Sequence, residues 1–204
     1  AQNLNEQEAV VWSSAIKQDN PEMLQAIILG IPLIKRAEAL ADLMRQKTAV
    51  TIAGSHGKTT VTSLISYMLI EAGLNPTVAI GGILKNINSN ACLGSGEFFV
   101  AEADESDGSF LNYEPKYSII TNIDREHLDY YHNFENELKA FKDFIKRTRN
   151  GGCVFACSDD LNLVNLFSGY KGRHLFFGIN SAADIYARDI LLTGLTSDFD
   201  CFYK

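Results

Sequence analysis

The chain has 204 residues, 46% hydrophobic and 21% charged, with a formal net charge of −7. That is ordinary for a folded chain with a sizeable core, and the acidity argues against nucleic acid as main partner, since phosphate backbones are bound by basic faces. No apolar run is long enough to expect a membrane span, and no secretory leader pattern is visible. Cys92, Cys153, Cys157 and Cys201 lack metal-site spacing, so buried or half-buried free thiols in a cytoplasmic protein are expected.

Residues 1–8 are polar and expected to fray. Residues 9–12 read as a short strand. Asp19-Asn20-Pro21-Glu22 offers caps, a first-turn proline and an early acid, which predicts a helix over 22–29 ended by Gly30. Residues 31–34 read as a second strand, and Ala37, Leu40, Ala41 and Met44 give 36–45 helical spacing. This β-α-β-α pattern looks like the later part of a doubly wound sheet. A polar join at 46–48 divides a first unit, 1–47, from a second, 48–204.

The second unit opens on Ala49-Val50-Thr51-Ile52-Ala53, breaks at Gly54-Ser55-His56-Gly57-Lys58-Thr59-Thr60, and restarts as an amphipathic helix over 61–72. Strand, glycine turn and helix are the parts of a phosphate-binding loop, although shorter than the common motif, which has four residues between its glycines. Gly54 and Gly57 let successive N–H groups point inward, and the helix adds its positive end. Lys58 would reach the terminal phosphates, and the Thr59 hydroxyl would serve a magnesium ion.

Residues 77–80 read as a strand ending at Gly81-Gly82, followed by loop to Gly96. The strand at 98–101 runs into Glu102-Ala103-Asp104-Glu105-Ser106-Asp107-Gly108-Ser109-Phe110, and the strand at 117–120 opens onto Thr121-Asn122-Ile123-Asp124-Arg125-Glu126-His127-Leu128-Asp129. Acids, an amide and an imidazole thus reach the sheet edge where the phosphate loop also lies. Glu102, coming straight off its strand, is the better metal ligand. His127 would ligate a second ion as neutral imidazole or contact a phosphate when protonated. A helix follows over 134–149, with Phe134, Leu138, Phe141 and Ile145 on one stripe. Residues 154–156, 175–177 and 185–192 are further strands, the last opening an antiparallel element that the chain interrupts. The fold class is α/β, a mostly parallel sheet with helices on both faces.

These three motifs resemble those of the Mur ligases of peptidoglycan synthesis, over nearly the whole chain. The Glu-Ala-Asp-Glu-Ser-Asp-Gly-Ser-Phe wording, with Ser13-Ser14-Ala15-Ile16 upstream, is similar to the branch that joins L-alanine to UDP-N-acetylmuramate. The resemblance implies the tail of a Rossmann-like UDP-substrate domain at 1–47 and much of a central ATP-binding domain at 48–204, with further domains at both ends of the full protein. It implies ATP and Mg2+ as cofactors, with Gly54 to Thr60 on ATP and Lys58 on the phosphates. Thr59 and Glu102 would hold one ion, and His127 a second. Ser13, Ser14, Arg36, Gly81 and Gly82 are candidate substrate contacts. Related ligases carry a carbamylated lysine near Lys142, which the alanine-adding branch usually lacks. That branch usually has threonine at Ser55 and aspartate at Glu126. Other Mur ligases, folylpolyglutamate synthase, a phosphate-loop switch or kinase, and a nucleotide-binding domain without turnover remain alternatives.

Overall fold

Two sheets organise the chain, in a computed structural model that describes residues 4, 7–179 and 182–204. The opening at 1–8 lies largely outside the described residues. In the small sheet, β1 (Val10–Trp12) pairs in parallel with β2 (Leu33–Lys35). Helix α1 (Pro21–Leu29) makes the crossover. Asn20 Oδ1 accepts from the Glu22 and Met23 amides at 2.9 and 3.3 Å, and Gly30 closes the helix at φ 68°. Helix α2 (Arg36–Arg45) follows directly and buries Ala41 and Met44.

The large sheet is built on β3 (Thr48–Ala53). Its partners in chain order are β4 (Thr77–Leu84), β5 (Ser89–Cys92), β6 (Phe98–Glu102), β7 (Tyr117–Ile120), β8 (Cys153–Cys157), β9 (His174–Gly178), β10 (Ile185–Thr193) and β11 (Thr196–Tyr203). The spatial order is β11-β10-β9-β8-β7-β3-β6-β4-β5. Among the described residues only the two outermost pairings of this sheet, β4 with β5 and β10 with β11, are antiparallel. Because side chains alternate along a strand, β3 feeds two cores. Val50 and Ile52 meet Val61, Ile65 and Leu69 of α3 (Lys58–Glu71). Ala49 and Ala53 belong to the other core, with Phe110 and with Phe141, Phe144 and Ile145 of α5 (Phe134–Lys146). The small residues of that face leave room for aromatic rings: Phe110 stacks on Phe144 at 4.8 Å and meets Phe141 edge-on at 5.3 Å. Between β7 and α5 lies the short α4 (Leu128–Tyr131), and after β8 comes α6 (Leu161–Leu166).

Several expectations need correction. Gly81 and Gly82 do not end a strand. They lie inside β4, which turns through Asn88 (φ 49°) into β5, so the stretch expected to be loop is largely a hairpin with an irregular register. The α3 helix starts at Lys58 rather than Val61. The final antiparallel element is a closed hairpin, turned at Gly194 (φ 60°), whose first strand also pairs in parallel with β9. All four cysteines are free thiols, but Cys201 is exposed, as is every residue of β11 and most of β10, the hairpin they form being uncovered. Among the described residues no helix is long and apolar enough to cross a membrane.

Phe110 is fully buried in the larger core. Phe110→Ala is expected to destabilise the protein by about 3–5 kcal/mol in urea unfolding. A loss below about 1 kcal/mol, typical of surface changes, would remove it from the core.

Candidate active site

The loop after β3 takes its shape from the segment leaving β7. Ser55 N donates to Asn122 O at 3.0 Å, His56 N to Asn122 Oδ1 at 2.8 Å, and Thr121 Oγ1 to His56 O at 2.7 Å. Asp124 N donates to Ser55 Oγ at 2.7 Å. The approach is so close that a Cβ on Gly54, already at φ 128°, would overlap Thr121 Oγ1 and the Asn122 backbone. Gly57 adopts φ 83° as N-cap of α3, and among the described residues no side chain caps that helix. Its first-turn amides therefore suit an anion. Thr60 is exposed on the first turn.

Lys58 and Thr59 point to different carboxylates. Thr59 Oγ1 donates to the Glu102 carboxylate, 3.0 and 3.1 Å from its two oxygens, and Gly81 N donates to Glu102 Oε2 at 2.9 Å. A Cβ on Gly82 would press on the Thr59 methyl at 3.1 Å. The Lys58 ammonium donates to Gly54 O at 2.6 Å, Ser55 O at 3.2 Å and Glu105 Oε1 at 2.8 Å. Glu105 is fully buried and Lys58 nearly so, 13% exposed at its side chain. Burial pushes the Glu105 carboxyl up, with the Lys58 hydrogen bond and charge pulling it back.

His127, at φ 55°, brings Nε2 to 3.6 Å from Glu105 Oε1 and 4.0 Å from Glu126 Oε2. Ligand atoms of Glu105, Glu126 and His127 all lie within 4.8 Å of one another. His56 Nε2 lies on the outer side, 3.5 Å from Asp124 Oδ2 and 3.8 Å from Glu126 Oε1. The structure thus brings Lys58, Thr59, Glu102 and His127 to one edge, and adds Glu105, which sequence reasoning passed over as lying too far out in the loop.

The substrate candidates separate. Ser14 Oγ donates to Asp107 Oδ2 at 2.7 Å, tying the first unit to the loop that carries Glu105. Burial opposes ionisation of Asp107, but hydrogen bonds from Ser109 and Ser14 hold its carboxyl below the ordinary range. Ser14 and Arg36 line a cavity of about 500 Å3 with Lys17, Asp107 and Tyr130. Arg36 also borders a second, of about 490 Å3, with Gly81, Glu102 and Tyr113. Ser13 Oγ instead accepts from Ala15 N within its own turn. Lys142 is exposed on α5. The group that α5 buries near the site is Glu137, fully enclosed, with neither oxygen hydrogen-bonded among the described residues. Its position four residues before Phe141 and seven before Phe144 was the available signal.

The profile described as the Mur ligase middle domain matches residues 52–204, and that of the Mur ligase family catalytic domain matches 1–48. The UDP-N-acetylmuramate--L-alanine ligase of Syntrophus aciditrophicus is 44% identical over 204 residues, covering 100% of this chain and 42% of the relative. That of Aquifex aeolicus is 46% identical over 203 residues, covering 100% and 45%. The chain therefore spans under half the length of these curated relatives. Among solved structures, UDP-N-acetylmuramate-alanine ligase MurC from Thermotoga maritima superposes with a TM-score of 0.82 at 27% identity, covering 99% of this chain and 45% of that one. The MurF ligase of the same organism, in complex with ADP, gives 0.67 at 20% identity, covering 95% and 53%.

Burial pushes the Glu137 carboxyl up from 4.5 to about 7, against the smaller opposing influences of the Glu126 backbone and His127. A carboxyl raised on folding holds its proton in the native state, so its stability contribution is complete below about 4.5 and is lost as pH rises through about 7. Glu137→Gln, neutral throughout, is expected to gain on the wild type by about 3 kcal/mol between pH 4.5 and 8 in urea unfolding. A difference independent of pH would refute this.

Proposed function

The chain belongs to the Mur ligase family, and on that premise we propose that its protein is an ATP-dependent ligase joining L-alanine to the carboxylate of UDP-N-acetylmuramate for peptidoglycan synthesis. The observation that carries the reading is the pairing of Lys58 and Thr59, at the head of α3, with the buried Glu105 and the half-buried Glu102. The identity to alanine-adding relatives along the whole chain supports the choice of substrates.

In this reading Gly57 and the uncapped start of α3 receive the polyphosphate of ATP, while the Ser55 and His56 amides, held by Asn122, keep the loop in shape around it. Lys58 contacts its terminal phosphates, and Ser55, His56 and Thr60 border it. The residues present fit magnesium: a threonine hydroxyl and a carboxylate are hard oxygen donors, and the buried Glu105 carboxylate, with Oε1 3.6 Å from His127 Nε2 and Oε2 without a hydrogen-bond partner among the described residues, offers donors for a second ion. Thr59 and Glu102 would hold one ion and His127 the other. Bound there, magnesium supplies charge neutralisation between phosphate and carboxylate. A carboxylate becomes a useful electrophile once the γ-phosphoryl group is transferred to it with loss of ADP. The amine of L-alanine then attacks the acyl phosphate, expels phosphate and forms the amide. Ser14 and Arg36, beside the first cavity, would face the diphosphate of the sugar nucleotide, with Gly81 along the second cavity and Gly82 next to it in β4, against the Thr59 methyl. Ser13 would support the Ser14 turn.

Phosphate release by the full-length protein, with UDP-N-acetylmuramate and each of L-alanine, glycine and L-serine, tests the assignment. Turnover is expected to need the sugar nucleotide and to favour L-alanine; turnover without either would overturn it. Lys58→Ala is expected to weaken nucleotide binding by about 1.5–3 kcal/mol in calorimetry, the range for hydrogen bonds to charged groups. Glu102→Ala should weaken magnesium-dependent nucleotide binding, whereas His127→Ala should largely spare binding and abolish phosphate release. Equal loss of binding in both would refute that division.

A further inference from the structure

Lys58 has three N–H donors, and all three are placed on the protein itself: on Gly54 O, Ser55 O and Glu105 Oε1. To reach a phosphate it must give up at least one. If it stays on Glu105, its charge is already neutralised and is worth little to a phosphate. If it leaves, a fully buried carboxylate is stranded, which is strongly unfavourable unless another cation replaces it. The replacement has a place prepared. Glu105 Oε2 is buried with no partner, and Glu126 and His127 offer ligand atoms within 4.8 Å of the Glu105 carboxylate.

Resting on the phosphate role of Lys58 and the cation role of His127 given above, we propose that Glu105 is a charge-exchange site. Lys58 occupies it in the nucleotide-free protein, and a divalent cation held with His127 and Glu126 takes it over when Lys58 turns to the phosphates. The two occupants exclude each other, so nucleotide and cation assist each other through Glu105. The device answers a specific need: an ammonium neutralised at rest keeps the empty loop from presenting a bare charge, yet the loop is not permanently satisfied. Tyr131, whose hydroxyl donates to the Glu105 backbone oxygen, anchors the loop backbone at this residue while the partners of its side chain change.

The test is manganese binding to the nucleotide-free full-length protein, followed by electron paramagnetic resonance of the free ion. Lys58→Met empties the site, so this variant is expected to bind Mn2+ about tenfold or more tightly than wild type, within the usual range for coupled sites. The gain should vanish in the K58M/E105Q double variant. Equal Mn2+ affinity in wild type and K58M, or a gain that survives E105Q, overturns the proposal. A second measurement covers the case in which K58M does not fold. ATP binding by E105Q should exceed wild type about tenfold in EDTA, because Lys58 is freed, and lose that advantage in magnesium. An effect of the same size in both buffers overturns the exchange. Failure of wild type to bind ATP, or K58A binding it as wild type does, would instead sink the phosphate-loop assignment, which the nucleotide-free manganese experiment does not require.

Discussion

The buried contact between Lys58 and Glu105, 2.8 Å long, is the constraint on which the site depends. Taking both charges out of water is costly, and the pair is tolerable only because its remaining hydrogen-bonding capacity is largely met. Two loop carbonyls share the ammonium, and the same carboxylate lies beside His127. Three segments far apart in sequence therefore converge on one side chain: the glycine loop after β3, the acidic loop after β6, and the left-handed turn into α4. The carbonyls of Gly54 and Ser55 are held inward by this ammonium, and the loop's outer side is held by Thr121 and Asn122. Cation and amide clamp act from opposite sides of one short turn.

Much of the architecture was legible locally. The β3 run, its glycine break and the following helix follow from period and turn chemistry, which need no knowledge of the rest of the chain. The caps of α1 were equally plain in Asn20, Pro21 and Gly30. The β4–β5 hairpin was not, because Gly81 and Gly82 suggest a break, whereas both take ordinary strand geometry beneath Glu102 and Thr59, where a side chain would be crowded. The short helix Leu161–Leu166 escaped for a different reason. Its signal is the cap, with Asp160 Oδ1 accepting from the Asn162 and Leu163 amides, and six residues are too few for a visible period.

At the site, sequence order ranked the acids by distance from the strand, which selected Glu102 and set Glu105 aside. The ranking fails because the loop turns back on itself: Gly108 N donates to Glu105 O, and Phe110 plugs into the core beneath, so Glu105, which opens the turn, is buried rather than carried outward. Such a reversal depends on tertiary packing of α5 and leaves no periodic trace. Glu137 is the counter-example. It sat in register with Phe141 and Phe144, and only its polar character kept it off the predicted stripe of α5.

The position of β3 also determines when the loop can exist. β3 is made early but is flanked by β6 and β7, whose residues follow long after it in the chain. Parallel pairing of this kind closes large loops before it gains any contact, and is slow to form. The Gly54 turn takes its shape from Thr121, Asn122 and Asp124, so during synthesis it stays unformed until β7 and the residues after it have left the ribosome. The nascent chain thus carries β3 as an apolar strand with both edges open until β6 is made, and with one edge open through more than sixty further residues until β7, an invitation to wrong pairing or chaperone capture.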